Sequence, residues 1–229
     1  SDLIPNCRAC SVAWEPDGSG FCYTRYPEGD DYHRAVHHHT IGADWRDDPV
    51  VWAEWPTAET WPAVLMSPDG RFVVVEAMVG WQRTDLHVRD RADGTWRPLI
   101  EGVESINTGW AFVTDSVLVG TTTHGAPSGR VVRVDLGAVD LGPDAWETVV
   151  PEGDAVLGSP APVPGGFFLP STRVAIDRLH FVSDDGTTRL IEGLGTCAIT
   201  GLASDRATGA AVAKISSFDS CTHWPIATA

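Results

Sequence analysis

The sequence predicts an all-β fold, and two observations carry the prediction. Helical periodicity is nearly absent along the 229 residues, whereas short β-rich runs alternate with turns built on Asp-Gly, Pro-Gly and related pairs. A hairpin-like unit also recurs, with turns near residues 17, 69, 115, 165 and 207. A repeat of roughly 40 to 52 residues indicates an architecture built from copies of one supersecondary unit.

The inner hairpin of each unit is apolar on both sides of its turn. The clearest copies are SVAWEPDGSGFCYTRYP at 11–27 and AVLMSPDGRFVVVEAMV at 63–79, and weaker copies occupy 108–124, 158–174 and 199–218. Consecutive apolar residues such as FVVV point alternately to the two faces of a strand. These strands are therefore predicted to be covered on both faces.

A second, more polar hairpin follows several of the inner hairpins. It occupies 86–102, 131–153 and 179–193, and its alternating charges and Asp-Gly turns are typical of wetter, outer strands. Four strands per repeat with two apolar faces are the signature of a β-propeller blade, which buries its faces only against neighbouring blades. We therefore predict a β-propeller of four-stranded blades, in preference to a sandwich.

The prediction places one β-propeller domain over residues 1–229, with about five blades. Their approximate limits are 7–56, 57–104, 105–153, 154–194 and 195–229. The last segment, CTHWPIATA at 221–229, resembles the third strand of a blade that lacks its fourth strand. Residues 2–6 are a candidate for that missing strand, which would close a small five-bladed ring. The alternative is an open arc whose exposed blade edges pair with another copy.

The segment around His33, His37, His38 and His39, followed by three aspartates, raises the question of a metal site. RAVHHHTIG at 34–42 falls where the third strand of the first blade is expected. His37 and His39 would project from one face of that strand and His38 from the other, so the three rings cannot converge on one ion. We interpret them as strand histidines.

The cysteines do not form a zinc-ribbon pattern. Cys7 and Cys10 have C-x-x-C spacing, but no second pair accompanies them. If residues 7–14 are a strand, the two side chains point to opposite faces, and we expect small buried apolar cysteines. An odd total of five cysteines predicts a reducing compartment and hence a cytoplasmic protein.

Composition narrows the classes of partner. A net charge of −15 with a single lysine argues against nucleic acid, and the acidic balance is expected to serve solubility, with a cationic partner as the alternative. No apolar run reaches the roughly 18 residues that a membrane span requires. The first residues show neither the basic start nor the apolar core of a signal peptide.

Several stretches together resemble the prolyl oligopeptidases, serine peptidases that cleave short peptides after proline. In order, the similar stretches are SVAWEPDGSGFCYTRYP, YHRAVHHHTIGADWRDDPVVW, LMSPDGRFVVVEA, TTTHGAPSGRVVRVDL, AWETVVPEGD and KISSFDS. The resemblance covers nearly the whole chain and is weakest over 157–200. It implies a seven-bladed propeller, of which this chain would be a fragment, capping an α/β-hydrolase domain that carries the catalytic Ser, Asp and His.

The resemblance implies a non-catalytic role for this chain. No serine lies in a G-x-S-x-G motif, and Ser159 and Ser217 have no persuasive His and Asp constellation. We therefore predict no catalytic, cofactor-binding or metal-binding residue and no cofactor. The expected partners are the catalytic domain of the same polypeptide and, for the parent protein, short proline-containing peptides.

Two other classes of function remain as alternatives. One is a protein-interaction propeller, although no Gly-His…Trp-Asp signature recurs. The other is a propeller glycosidase or lectin, which needs paired carboxylates. Glu76 and Asp205 are candidates that nothing in the sequence pairs, and ADGTW at 92–96 lacks the spacer of a sialidase Asp box.

The ten tryptophans are the remaining feature that suggests a binding groove. Trp45, Trp52, Trp55 and Trp61 lie close together in the sequence, and aromatic side chains can stack on sugars or peptides. In a propeller such residues more often fill the gaps between blades, which is our preferred interpretation. Trp14, Trp110 and Trp146 fall inside repeat units and are predicted to be core residues.

Overall fold

The structure is a computed structural model that describes residues 2–218, 222, 224 and 226–228. It confirms the all-β prediction. In this part of the chain the helices are two short 3-10 turns, Trp45–Asp47 and Pro143–Ala145. Neither has the length or apolar character needed to cross a bilayer. The strands form five antiparallel sheets, and the chain divides into two compact units.

The first unit contains two four-stranded sheets and consists of residues up to Ile106, Thr114–Ser116 and Leu136–Asp144. In both sheets the spatial order of the strands follows the chain. The first sheet is β1 (Val12–Trp14), β2 (Gly20–Arg25), β3 (Ala35–Thr40) and β4 (Val50–Trp52). The second is β5 (Trp61–Met66), β6 (Phe72–Val79), β7 (Arg83–Asp90) and β8 (Trp96–Ile100).

The second unit contains three sheets. The third sheet is β9 (Asn107–Phe112), β10 (Val117–Thr122), β11 (Arg130–Asp135) and β12 (Glu147–Val150). The fourth is β13 (Val156–Leu157), β14 (Ala161–Val163), β15 (Gly166–Arg173), β16 (Ile176–Ser183) and β17 (Thr188–Leu190). The fifth, in the described residues, is β18 (Ala198–Asp205), β19 (Ala210–Ser216) and β20 (Ile226–Thr228).

The fourth sheet departs from the pattern because its first strand is divided. Both β13 and β14 pair with β15, and the chain between them leaves the ladder around Gly158. There the N–H of Gly158 donates to the carbonyl of Pro170 at 2.8 Å. Pro160 and Pro162 lack a backbone N–H, which weakens a continuous ladder at this point.

The predicted hairpins are confirmed. Each inner turn lies between the first two strands of a sheet, and the polar hairpins are β7–β8, β11–β12 and β16–β17. The histidine segment is the third strand of the first sheet, as predicted. The strands of each sheet fall within one of the five blade ranges, and the fifth sheet has three strands in the described part of the chain.

The central strands β2, β6, β10 and β15 are buried on both faces, whereas in β19 buried residues alternate with partly buried ones. Phe72, Val73, Val74 and Val75 of β6 are successive residues and all are at most 2% exposed. Val73 and Val75 belong to a core cluster in which Val64 joins Ala13, Cys22 and Val36 of the first sheet. The first two sheets are therefore packed face to face, and β6 has a second apolar face opposite this contact.

The same two-sided burial holds the second unit together. Phe167 of β15 packs in a cluster with Val119 and Val131 of the third sheet, whereas its neighbour Phe168 packs in a cluster with Ala211 of the fifth. Both phenylalanines are at most 1% exposed. The fourth sheet thus lies between two others, which is the stacking that blades require.

The Asp-Gly turns that connect strands share one hydrogen-bonding pattern. The carboxylates of Asp17, Asp69, Asp93 and Asp185 each accept a hydrogen bond from the backbone N–H two residues further on. Hydrogen bonds from nearby hydroxyl groups, together with these backbone bonds, lower the pKa of all four carboxyls, to about 2 for Asp185. In each turn the following glycine has the positive φ that L residues avoid.

Two predictions about individual residues were wrong. Strand β1 begins at Val12, so Cys7 and Cys10 lie outside it. Asn6 and Ala9 have φ values of 60° and 50°, which an extended strand cannot contain. Trp14 is 57% exposed and not a core residue, because it shares with Val12 the face of β1 opposite the buried Ala13.

Other predictions about tryptophans are confirmed. Trp110 and Trp146 are 4% and 6% exposed, and their rings meet edge to face. Trp52 and Trp55 pack against the core between the first and second sheets, where Trp96 joins them. The rings of Trp61 and Trp45 instead make cation–π contacts with arginine side chains. The Cζ atom of Arg34 lies 3.6 Å from the centroid of the Trp61 ring.

The segment of residues 2–6 contains no strand, but it is attached to the first sheet. The Asn6 carbonyl accepts from the N–H of Tyr26 at 3.1 Å, and Asp2 accepts from the N–H of Gly42 at 2.7 Å. Its pairing with the last blade stays a prediction, as does the choice between a closed ring and an open arc. Residues 219–221, 223, 225 and 229, part of the proposed last strand and its approach, lie outside the described residues.

A pair of glycine substitutions tests the contact between the first two sheets. Gly18 and Gly70 occupy equivalent turns, with φ of 72° and 76°. A Cβ added at Gly18 would contact no other atom, whereas a Cβ added at Gly70 would lie 3.1 Å from the Pro16 ring. We expect Gly18→Ala to lower the free energy of unfolding by about 1 kcal/mol, the cost of left-handed alanine, and Gly70→Ala to cost more. Urea denaturation measures both, and equal losses would contradict the packing of Pro16 on Gly70.

Candidate functional site

The three strand histidines have three separate environments. His38 Nε2 lies 2.9 Å from Glu15, whose other oxygen accepts from Arg91. His37 Nδ1 lies 3.5 Å from the Arg25 guanidinium, and burial together with that positive charge lowers the pKa of His37. The alternation predicted for His37, His38 and His39 is therefore seen in their partners.

His39 is fully buried between two carboxylates. Its Nδ1 lies 3.0 Å from both oxygens of Asp48, and its Nε2 lies 3.3 Å from Asp2. Burial lowers the pKa of His39, but hydrogen bonds to Asp48 and Asp2 outweigh it, so the net shift is upward. The Tyr23 hydroxyl donates to Asp48 at 2.8 Å. This cluster fastens residue 2 to strand β3.

The His39 cluster does not have the geometry of a metal site. Asp48 and Asp2 approach opposite nitrogens of the imidazole ring, so the three side chains do not converge on one point. Within the described residues, no group of three His, Cys, Asp or Glu side chains is placed to hold an ion. The arrangement can stabilise a protonated imidazole and position the chain, which is an architectural role.

A cleft of about 310 Å³ lies beside the second sheet and is lined by charged, aromatic and histidine side chains. Arg83 donates to the buried Asp85, which also accepts from the N–H of Gly102 at 3.1 Å. His87 Nε2 lies 3.6 Å from Glu101, and the His87 ring is 4.9 Å from that of Trp52. The lining residues are Glu54, Trp55, Pro56, Ala77, Arg83, Asp85, His87 and Glu101.

The cleft has acids, a base and an aromatic wall, but no hydroxyl or thiol nucleophile. No serine, threonine or cysteine lines it. The carboxylate of Asp85 is paired with the guanidinium of Arg83, and the imidazole of His87 faces Glu101. The residues come from the loop after β4 and from three strands of the second sheet or their ends, so no local motif could have predicted their meeting. Chemically the cleft can bind a polar group, and it has none of the hydroxyl or thiol nucleophiles of a serine- or cysteine-type peptidase.

A serine–histidine pair occurs in the second unit, and sequence reasoning missed it. The Ser171 hydroxyl lies 3.0 Å from Nε2 of His180 on the neighbouring strand β16. Burial and the charge of Arg178 lower the pKa of His180, which favours the neutral ring. In the described part of the chain, no hydrogen bond joins His180 Nδ1 to a carboxylate. Ser171 is only 8% exposed, so the pair satisfies buried polar groups and lacks the third member of a triad.

The serines and carboxylates that the sequence offered as candidates lie in or beside turns and strands. Ser159 lies against Gly109, where an added Cβ would stand 2.4 Å from its side chain. Asp205 accepts from the N–H of Ala207 and from the Thr208 hydroxyl, which lowers its pKa and makes it a turn residue. Glu76 lies within β6, where burial raises its pKa to about 7. Ser217 follows β19.

Comparison with known proteins identifies the domain. The family model described as prolyl oligopeptidase, N-terminal β-propeller domain, matches residues 1–222. The chain belongs to this family. The predicted resemblance and the propeller fold are thereby confirmed.

Individual proteins that are similar to this chain are also named prolyl oligopeptidases. Prolyl oligopeptidase ophP of Omphalotus olearius is 32% identical over 105 residues, which are 39% of this chain and 14% of the relative. Prolyl oligopeptidase A of Galerina marginata is 24% identical over 199 residues, 77% of this chain and 26% of the relative.

Solved structures of prolyl oligopeptidases share the fold. One, from a structural and mechanistic study of two prolyl endopeptidases, has a TM-score of 0.88 and 23% identity and covers 99% of this chain. Prolyl oligopeptidase B of Galerina marginata, bound to a 35mer hydrolysis and macrocyclization substrate, has a TM-score of 0.82 and 19% identity over 94% of this chain. The chain spans 34% and 31% of those two proteins.

The buried Glu76 gives this prolyl oligopeptidase propeller a testable pH dependence. Its folded pKa of about 7 exceeds the ordinary value of 4.5, so the folded state holds more protons between these values and stability falls as pH rises through this window. Between pH 4 and pH 8 we expect wild type to lose about 3 kcal/mol relative to Glu76→Gln. Urea denaturation at both pH values measures the difference.

The exposed Glu104 provides the matched control. Glu104→Gln makes the same chemical change at an exposed site and measures the effect of the substitution itself. If Glu76→Gln and wild type show parallel pH profiles of unfolding, the carboxyl of Glu76 has an ordinary pKa and is not desolvated by the packing around β6.

Proposed function

We propose that this propeller is the non-catalytic cap of a prolyl oligopeptidase-type serine peptidase. In that role it shields the active site of an α/β-hydrolase domain in the same polypeptide and restricts substrates to short proline-containing peptides. The observation that carries the proposal is the family match over residues 1–222, in a chain that spans about a third of the solved relatives.

The chemistry of the described residues supports a cap more than an enzyme. The cleft beside the second sheet lacks a hydroxyl or thiol nucleophile, and the partly buried Ser171–His180 pair lacks a carboxylate partner. A rigid body that covers a catalytic centre needs neither. It excludes water and bulky substrates, and it selects by size because a folded protein cannot pass where a short peptide can.

The partners of this cap are proposed on the same basis. The catalytic domain contributes the serine, aspartate and histidine, and peptides reach them past the propeller. One relative, prolyl oligopeptidase B, has been solved with a 35mer substrate, so peptides of some length are bound within the family. The four described cysteines are free, and we propose a cytoplasmic location because reduced thiols persist there.

The test compares substrates of different size in the full-length parent protein. A Gly-Pro-linked chromogenic peptide should be cleaved, whereas the same Gly-Pro sequence in a loop of a folded host protein should be cleaved at least ~100-fold more slowly, a difference of about 2.7 kcal/mol in transition-state access. The isolated 229-residue chain should hydrolyse neither substrate. Turnover by the purified isolated chain would contradict a non-catalytic role.

Destabilising the propeller should weaken the size restriction. Leu179 is 1% exposed, and Leu179→Ala should cost about 2–5 kcal/mol. Leu3→Ala removes the same atoms at an 86% exposed site and is the control. In the full-length protein we expect Leu179→Ala alone to raise cleavage of the loop substrate relative to the chromogenic peptide. An unchanged ratio in a variant whose propeller is measurably destabilised would reject the shielding role.

A further inference from the structure

Cys7 and Cys10 lie at the two ends of one turn. Arg8 and Ala9 form the turn, and Ala9 has a φ of 50° at its third position, as in a type II turn. The Cα atoms at the ends of a β-turn are less than about 7 Å apart, and disulfides usually join Cα atoms about 4.4–6.8 Å apart. The turn therefore places the two cysteines at the separation that a disulfide requires.

The two thiols also act on each other. Burial raises the pKa of Cys7 to about 11, and the charge and a side-chain hydrogen bond of Cys10 contribute to the shift. Each thiol has a backbone carbonyl as a weak acceptor, Pro5 for Cys7 and Ser11 for Cys10. Both side chains are only partly buried and free, so a small reagent has access to them.

The other described cysteines are not competitors for this pair. Cys22 lies in the core between the first two sheets and is 2% exposed, and Cys197 is 6% exposed in a core cluster of the second unit. Neither is accessible without opening its sheet. The C-x-x-C spacing and the turn thus single out one pair of thiols that can react together.

We propose that Cys7 and Cys10 form a reversible intramolecular disulfide when the protein meets a disulfide oxidant such as oxidised glutathione. We assign the first attack to Cys10, because burial raises the pKa of the Cys7 thiol. The Cys10 thiolate forms a mixed disulfide with one glutathione and releases the other as a thiolate. Cys7 then loses its proton and attacks the Cys10 sulfur, which releases the second glutathione. Two protein thiols are oxidised and one glutathione disulfide is reduced to two thiols.

The bond would lock the turn that precedes the first sheet. Arg8, inside the closed ring, pairs with Asp31 at 3.2 Å and lies over the Tyr26 ring at 5.2 Å. On the N-terminal side, Asn6 accepts from the Tyr26 N–H. Oxidation therefore acts on the segment that attaches residues 2–6 to strands β2 and β3, away from the cleft beside the second sheet.

The experiment equilibrates the reduced chain with oxidised and reduced glutathione under native conditions. Free thiols are then alkylated, and the protein is digested and mapped by mass spectrometry. We expect the peptides of Cys7 and Cys10 to lack alkyl groups and to have lost two hydrogen atoms, and dithiothreitol should restore both thiols. Because Cys7 resolves the mixed disulfide, glutathione should not accumulate on Cys10.

A variant pair tests the order of the steps. Cys7→Ser should retain glutathione on Cys10, whereas Cys10→Ser should react with glutathione more slowly at Cys7. Both variants should keep the circular dichroism of wild type, since neither residue lies in a strand. Alkylation of both thiols after equilibration, glutathione retained on wild-type Cys10, or a bond to another cysteine or chain would overturn the proposal.

Discussion

The structure depends on the burial of both faces of the central strands β2, β6, β10 and β15. A strand such as β6, with Phe72, Val73, Val74 and Val75 all buried, leaves water only if a layer covers each of its sides. Burying a valine or phenylalanine side chain contributes about 1.5–3 kcal/mol, and successive residues divide this gain between two faces. The sheets therefore stack within each unit, and the hairpins need no helices to cover them.

This constraint also accounts for the surroundings of the polar residues. Several side chains that enter the packed layers are paired there, His39 with Asp48 and Asp2 and Ser171 with His180. Such pairing avoids the cost of an unsatisfied buried group. It produces pairs of catalytic residue types that serve the packing, and it agrees with the proposed role of a non-catalytic cap. Other groups pay that cost: Nε1 of Trp52 and of Trp110 is buried without a hydrogen-bond partner, and burial raises the pKa of Glu76.

Much of the fold could be predicted from local features, because Asp-Gly turns and doubly apolar runs act within a few residues of chain. The turn at Cys7–Cys10 could not be predicted, because it depends on positive φ values at Asn6 and Ala9. Nothing in the sequence around these two residues indicates such values. The exposure of Trp14 was missed because burial of a strand face depends on a neighbouring sheet, not on the strand's own sequence. The cleft beside the second sheet joins side chains from separate strands and loops, and their meeting follows only from the registers of β6, β7 and β8.

Two adjacent phenylalanines of β15 offer the most direct test of two-sided burial. Phe167 and Phe168 point to opposite faces of the fourth sheet and belong to different core clusters. Urea denaturation of Phe167→Ala and Phe168→Ala should show that each substitution lowers the free energy of unfolding by about 3–5 kcal/mol. In a sheet with one solvated face, one of the two neighbours would tolerate alanine. A loss below about 0.5 kcal/mol for either variant would contradict the stacking of sheets on both sides of β15.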